Sequence, residues 1–283
     1  MMNFEIINRK NLTEGIVEMD VHAPRVACAA RPGQFVIVMA CEECERIPLT
    51  LVDWSCRGGW IRLVFQEVGV STYKLGMMDV GERLYHVAGP LGNPTHIDKF
   101  GTVAIVAGGV AIAAAYPIAR AFKEAGNTVV SFIGARNSRL LIYRDHIAKI
   151  SDEVHISTDD GSEGFKGFVT QLLEKRLADG FKPDLVWVVG PAPMMRSCSV
   201  VTKRFGVKTI ASLNPIMVCG MGMCGACRVR IKNEIRFTCV DGPEFDAWDV
   251  DWDELLHRLS AYREEESYAL KLFLESRGIK VSR

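Results

Sequence analysis

The chain has 283 residues, with 34 Lys and Arg against 34 Asp and Glu and a formal net charge of zero. That length suits two domains with a small appendage, and the charge balance leaves no whole-chain basic field for nucleic acid or an anionic membrane. Hydrophobic residues at 48% and charged ones at 24% exclude wholesale disorder.

Met1-Met2-Asn3-Phe4-Glu5 has neither a basic n-region nor an apolar h-region, so no secretory signal is expected and a cytoplasmic location is. Residues 1–98 read as a β-barrel domain. Short runs rich in Val, Ile, Leu and Phe, broken by Gly and Pro, predict strands over Gln34–Met39, Leu49–Val52 and Trp60–Phe65. Arg31-Pro32-Gly33-Gln34 is a turn feeding the first of these. The one helix expected in this part is short, around Ser71–Leu75.

The rhythm changes near Gly101, and residues 99–211 read as an α/β domain. Strands are expected over Thr102–Ala107, Thr128–Ile133, Val154–Ser157 and Leu185–Val189. Helices are expected from Gly108-Gly109 to about Gly126, then over Leu140–Ile150, Phe168–Leu177 and Pro193–Phe205. Alternating β and α with apolar strands means a parallel sheet covered on both faces, with ligands at the carboxyl ends of its strands. Val103–Phe122 carries a single charge, Arg120, and imitates a membrane span. Gly108-Gly109 and Pro117 interrupt it, so strand, turn and helix are the better reading and no membrane span is expected.

Residues 212–247 form a cysteine loop, and 248–283 a charged helical tail (Leu255, Leu256, Leu259 and Tyr262, then Tyr268 to Leu274). Four of the nine cysteines follow the spacing C-x4-C-x2-C-x11-C at Cys219, Cys224, Cys227 and Cys239. This is the plant-type [2Fe–2S] order, and Gly220, Gly222, Gly225 and Ala226 let backbone N–H groups approach sulfur. The fourth ligand is expected on the strand-like run Ile235–Cys239. Structural zinc is the alternative, but zinc sites usually pair two C-x2-C knuckles, which fits the x4 gap poorly. Cys41-Glu-Glu-Cys44 has no partner pair and reads as incidental; Cys28, Cys56 and Cys198 read as buried or half-buried small residues. His86 and His96 read as structural or surface residues.

Arg46-Ile47-Pro48-Leu49-Thr50, Gly69-Val70-Ser71-Thr72 and Gly89-Pro90-Leu91-Gly92 resemble, in that order, the flavin-binding segments of the ferredoxin–NADP reductase superfamily. There an Arg-x-Tyr-Ser/Thr strand binds the flavin and a Gly-Ser/Thr helix start binds its pyrophosphate, as helix N-terminal amides do. The resemblance implies an FAD held by Arg46, Pro48, Leu49, Thr50, Val64, Phe65, Gln66, Gly69, Ser71 and Thr72, with Thr50 as the polar contact to the ring. With Thr50 aligned to the family's hydroxyl residue, Ile47 stands in the arginine's place and Arg46 lies one position early. Ala107-Gly108-Gly109-Val110-Ala111 resembles the family's nicotinamide-binding Gly-Gly-x-Gly turn, with Ala111 for the last Gly. It implies a dinucleotide at Gly108, Gly109, Val110, Ala111, Gly134, Ala135, Arg136, Thr158, Asp159, Asp160, Gly190, Pro191 and Met194. Arg136 and Arg139 leave both NAD(H) and NADP(H) open.

The order of barrel, sheet and cysteine loop is similar to the electron-transfer subunits of class 1B dihydroorotate dehydrogenase. Ser212–Cys219, Met223–Val229 and Cys239–Asp246 look closer still to the small (alpha) subunits of NADH-dependent reduced ferredoxin:NADP+ oxidoreductase, also known as sulfide dehydrogenase subunit alpha. Members of that branch can carry Asp as first cluster ligand, where this chain has Cys219. The resemblance implies a ferredoxin reductase-like oxidoreductase subunit moving electrons between NAD(P)H, FAD and a [2Fe–2S] cluster. Its partner would be a larger catalytic subunit carrying FAD and [4Fe–4S] clusters, for electron bifurcation. The alternative is a dihydroorotate dehydrogenase catalytic subunit, in pyrimidine biosynthesis. No side chain is expected as acid or base. A zinc-stabilised, non-catalytic interaction subunit is the reading from a different class.

Overall fold

The computed structural model describes residues 4–278; the expectations for Met1–Asn3 and for the last five residues of the tail lie outside them. The N-terminal part holds seven strands and two short helices. These are β1 (Ile6–Thr13), β2 (Ile16–His22), α1 (Pro24–Ala29), β3 (Phe35–Met39), β4 (Ile47–Thr50), β5 (Asp53–Ser55), β6 (Trp60–Gln66), α2 (Val70–Gly76) and β7 (His86–Leu91). The strands form two antiparallel sheets, ordered β1-β2-β6-β5 and β4-β3-β7. Val17, Met19, Val21, Val36, Val38, Leu51, Ile61 and Leu63 close them around one core. α1 corrects the expectation of a single helix; Pro24 at its first turn supplies a preset φ. β4 begins two residues earlier than expected. Pro48, which has no N–H to donate, is tolerated because β4 is an edge strand.

In β2 the alternation puts Val17, Met19 and Val21 in the core and turns Glu18 and Asp20 to the opposite face, where both are still buried. Arg62 meets Asp20 with two hydrogen bonds, of 2.7 and 2.8 Å. Charges inside a strand hid β1 and β2 from a reading based on apolar runs.

Next come β8 (Thr102–Gly108), α3 (Ala111–Glu124), β9 (Thr128–Ala135), α4 (Arg144–Ile150), β10 (Glu153–Thr158), β11 (Phe165–Lys166), α5 (Val169–Ala178), β12 (Leu185–Val189), α6 (Ala192–Arg204) and β13 (Thr209–Ser212). The cysteine region adds β14 (Arg228–Ile231), β15 (Glu234–Phe237), α7 (Thr238–Asp241) and β16 (Glu244–Asp246); the tail is α8 (Trp252–Leu259) and α9 (Arg263–Ser276). One sheet runs β11-β10-β9-β8-β12-β13-β16, parallel except for β16. α3 and α4 cover one face; α5, α6 and α8 cover the other. No helix among the described residues is long and apolar enough to cross a membrane.

The helix expected over Leu140–Ile150 is shorter. A 3-10 turn at Ser138–Leu140 precedes α4, and Tyr143 between them sits at φ +56. This unusual conformation accompanies a long-range contact: the Tyr143 hydroxyl donates to Glu18 of the barrel. Arg120 on α3 meets Asp53 of β5 at 3.1 Å, a further polar link between barrel and sheet.

Candidate functional site

A cavity of about 760 Å³ opens where the barrel, the carboxyl ends of the parallel strands and the segment leading into the cysteine loop meet. From the barrel it is lined by Pro48, Leu49 and Thr50 on β4, by Val64, Phe65 and Gln66 on β6, and by Thr72 on α2. From the sheet come Gly108, Gly109, Val110, Ala111, Gly134, Ala135, Arg136, Asp159, Gly190, Pro191 and Met194. Five expected residues stand off it. Arg46 turns to the cysteine loop and donates from Nε to the Val218 carbonyl at 2.8 Å. Gly69 caps α2, and the Ser71 hydroxyl donates to Glu45 at 2.6 Å. Buried Thr158 donates to the Glu163 carbonyl at 2.7 Å, and Asp160 accepts from the Ser162 N–H at 2.9 Å. The Ser162 hydrogen bonds hold the Asp160 carboxyl below its ordinary range.

Sequence reasoning did not name Ser212, Leu213, Asn214, Met217 and Pro243 as lining residues, yet all five are. Their signal was position. Six residues separate β13 from Cys219, so a chain leaving the sheet for the cysteine loop has to pass the carboxyl edge where the cavity lies, and Pro243 lies on the return to β16, which pairs with β13.

The Gly108-Gly109 turn is built for close approach. Gly109 adopts φ +62, a left-handed conformation that favours glycine, and its N–H donates to the Gly134 carbonyl at 2.9 Å. A Cβ on Gly108 would stand 2.4 Å from Met194 Sδ. At Gly109 a Cβ would meet nothing within 4 Å, so the backbone there is open to close approach, as a dinucleotide pyrophosphate requires, while Met194 lies over Gly108.

The four cysteines of the loop are free thiols grouped as two pairs. Cys227 Sγ lies 3.2 Å from Cys239 Sγ, and Cys224 hydrogen-bonds to Cys219 through both N–H and thiol. Two thiol pairs match the donor set of a two-iron cluster. Gly222 N–H donates to Cys239 Sγ at 3.2 Å, and Met221 and Cys224 N–H donate to Cys219 Sγ at 3.4 Å. Burial opposes ionisation of Cys219, but these donors prevail and bring its thiol down to about 6. Burial, then the neighbouring Cys227 sulfur, pushes Cys239 up to about 12.

The Thr238 hydroxyl is buried beside this pair without a hydrogen-bond partner, while its N–H donates to the Cys227 carbonyl. A buried orphan hydroxyl costs about 1–3 kcal/mol, and the sulfurs of a cluster are acceptors that would relieve it. The loop residues thus fit the [2Fe–2S] group. Cys239 lies in α7 and not on the expected strand: Asp241 accepts from the Phe237 N–H at 2.6 Å and turns the chain there. Gly220, at φ +75, presses against the barrel; a Cβ there would be 2.6 Å from Leu91 and 2.9 Å from Ile37.

Two cysteine expectations are corrected. Cys41 and Cys44 are joined in a disulfide, and so are Cys28 and Cys56, both exposed rather than buried. Spacing alone showed neither bond, because Cys28 and Cys56 meet only when α1 packs against the β5–β6 turn. Cys198 is buried on α6 as expected.

Barrel, nucleotide sheet and paired-cysteine loop define an oxidoreductase of the ferredoxin reductase type with an iron–sulfur region. A ferredoxin reductase in carbazole 1,9a-dioxygenase has the same fold at 22% identity, with a TM-score of 0.64 over 73% of this chain and 66% of its own. Residues 105–199 match the family described as oxidoreductase NAD-binding domain, and 214–251 the iron–sulfur cluster binding domain of dihydroorotate dehydrogenase B. The chain belongs to the family of dihydroorotate dehydrogenase B electron-transfer subunits and their homologues. It is 47% identical to such a subunit homologue of Thermotoga maritima, over 97% of this chain and 96% of that protein. It is 35% identical to the electron-transfer subunit of Desulforamulus reducens, over 83% and 92%. A chain from the structure of an NADH-dependent reduced ferredoxin-NADP oxidoreductase, a flavin-based electron-bifurcating system, is 46% identical, with a TM-score of 0.91 over 97% of this chain and 99% of its own.

Proposed function

We propose that this chain is the electron-transfer subunit of a larger flavin and iron–sulfur oxidoreductase, as in NADH-dependent ferredoxin:NADP+ oxidoreductase. One observation carries the reading: a single cavity is walled by β4, by the Gly108-Gly109 turn and by the segment that ends at Cys219. A bound FAD would supply hydride chemistry toward a nicotinamide and one-electron chemistry toward a [2Fe–2S] cluster. Pro48, Leu49 and Thr50 would hold the flavin, with the Thr50 hydroxyl orienting its ring. Gly108, Gly109, Val110 and Ala111 would admit the dinucleotide, NAD(H) or NADP(H), and Gly134, Ala135, Arg136, Asp159, Gly190, Pro191 and Met194 would flank it. Cys219, Cys224, Cys227 and Cys239 would ligate the cluster. Arg46, Gly69, Ser71, Thr158 and Asp160 would act from behind, through the hydrogen bonds described. The lining of the cavity is mostly apolar. No side chain of the cavity is required to carry a proton.

The working division is a barrel over 1–98, a nucleotide domain over 99–211, a cluster loop over 212–247 and a tail from 248, in a cytoplasmic protein. Its partner would be a larger subunit bearing FAD and [4Fe–4S] clusters.

The family match to dihydroorotate dehydrogenase B supports a second reading, in which the partner is a dihydroorotate dehydrogenase catalytic subunit. Copurification from the host separates the two: orotate-dependent activity with a TIM-barrel partner favours the second. The common reading is tested on anaerobically purified protein. Flavin absorbance with iron and acid-labile sulfide in equal amounts is expected, and Cys224→Ser should abolish the cluster spectrum. Colourless protein holding zinc, or a Cys224→Ser variant with an unchanged cluster, would sink it.

A further inference from the structure

The Cys41-Glu42-Glu43-Cys44 turn has no place in the electron path just described, yet it lies next to it. The two cysteines are bonded across a C-x-x-C turn, with Cα atoms 4.9 Å apart. Cys41 is exposed to solvent and Cys44 is buried. An open sulfur for an incoming thiolate and a shielded one to leave is the arrangement that thiol–disulfide exchange uses. The turn joins β3 to β4. At one end, Phe35 and Ile37 of β3 pack on Met217, Cys227 and Cys239. At the other, Glu45 is held by Ser71, and Arg46 donates from Nε to the carbonyl of Val218, the residue before Cys219. Arg46 Nη1 also reaches back to Met39 Sδ, at 3.7 Å, so the same guanidinium spans both ends of the turn.

We propose that Cys41 and Cys44 form a reversible thiol–disulfide exchange site for an external dithiol, and that its state sets the grip of Arg46 on the cluster loop. A thiolate of the dithiol attacks Cys41 Sγ; the Cys41–Cys44 bond breaks, and Cys44 leaves as thiolate and takes a proton. The second thiol of the reagent then attacks its own sulfur in the mixed disulfide, and Cys41 leaves as thiolate and is protonated. The protein disulfide is reduced to two thiols and the dithiol is oxidised to its disulfide, so two electrons and two protons are accounted for. Opening the bond frees a four-residue turn whose far side carries Arg46. The Val218 carbonyl then loses a fixed donor one residue from a cluster ligand. The exchange stands on its own, whereas its effect on the cluster rests on the electron-transfer reading.

The test uses cluster-loaded, full-length protein under anaerobic conditions, with dithiothreitol and its oxidised form as probes. Alkylation followed by peptide mass spectrometry should find Cys41 and Cys44 blocked in the oxidised state, both labelled after dithiothreitol, and both blocked again after the oxidised reagent. EPR of the dithionite-reduced cluster should show different g-values in the two states. The double variant Cys41→Ser with Cys44→Ser should give the spectrum of the open state whatever the reagent, and Arg46→Ala should remove the difference while leaving the labelling pattern intact. Labelling that never changes overturns the exchange site. Labelling that changes while the EPR signal does not overturns the coupling to the cluster. Protein without iron would end the electron-transfer reading and the coupling with it, while the labelling would still decide the exchange.

Discussion

The Tyr143 hydroxyl donates a 2.5 Å hydrogen bond to Glu18 Oε2, joining the start of α4 to the second strand of the barrel over 125 positions of sequence. Arg62 approaches the other Glu18 oxygen at 3.8 Å, so the carboxylate sits between a phenol and a guanidinium. Burial, then the hydrogen bond to Glu18, keeps the phenol protonated far above its usual range. Tyr143→Phe removes the donor and leaves a buried carboxylate oxygen unpaired, at a cost of about 1–3 kcal/mol. Urea unfolding should show that loss, and adding Glu18→Gln should cost less than the sum of the two single changes. An unchanged midpoint in Tyr143→Phe would show that this link does not hold barrel to sheet.

Glu244 on β16 gives a stability effect with a defined sign. Its Oε1 accepts from Trp187 Nε1 at 2.9 Å and from the Thr95 hydroxyl at 2.5 Å, and burial raises its carboxyl above the ordinary 4.5 against the pull of those two donors. A carboxyl raised in the folded state binds its proton more tightly there than in the unfolded chain. Its stabilisation is complete below pH 4.5 and is lost as pH climbs through the raised value. Glu244→Gln keeps an acceptor oxygen without the charge. Its stability relative to wild type should rise between pH 4.5 and neutrality. A difference that stays flat with pH would mean the buried carboxyl does not titrate in that range.

At the Gly108-Gly109 turn, proposed to admit the dinucleotide, Gly108→Ala would place a methyl 2.4 Å from Met194 Sδ. Met194 is flexible, so the fold should survive and the thioether should swing into the cavity it lines. The expected result is a KM for NADH raised roughly tenfold, about 1.4 kcal/mol. Bound flavin should be unchanged, since β4 is untouched. Equal losses in flavin content and NADH affinity would show that the two regions are not separable.

Thr238 tests the cluster environment from inside. A hydroxyl donating to a cluster sulfur favours the more negative, reduced state, so its removal should lower the midpoint potential. Thr238→Val should do so in an EPR-monitored titration, and Thr238→Ser should restore the wild-type value. If all three proteins titrate alike, the hydroxyl does not reach the cluster.

The nucleotide sheet was legible because its strands are apolar on both faces. Leu185–Val189 needed no tertiary information, and the Gly108-Gly109 turn announced the end of β8. The cysteine spacing was equally plain, since ligand order is a one-dimensional signal. What escaped depended on partners far along the chain. Glu18 and Asp20 look wrong for a buried strand until Arg62 and Tyr143 arrive to pair them. Arg46 reads as a flavin contact only through its resemblance to the Arg-x-Tyr-Ser/Thr strand, in which it lies one position early. Its hydrogen bond to Val218 crosses 172 positions. The two disulfides were missed for the same reason in one case and, for Cys41 and Cys44, because the spacing lacked a matching pair.

The cysteine loop is anchored on every side. Arg46 and Asn93 of the barrel reach Val218 and Val240, β16 runs back along β13, and Arg258 of the tail donates to Ala226 at 3.0 Å. Such moorings forbid a swinging arm. On the proposed reading, an acceptor docks where the exposed Cys224 already stands. For the same reason residues 212–247, excised and grafted onto another scaffold, should make a poor miniature carrier: three walls of the cage would stay behind.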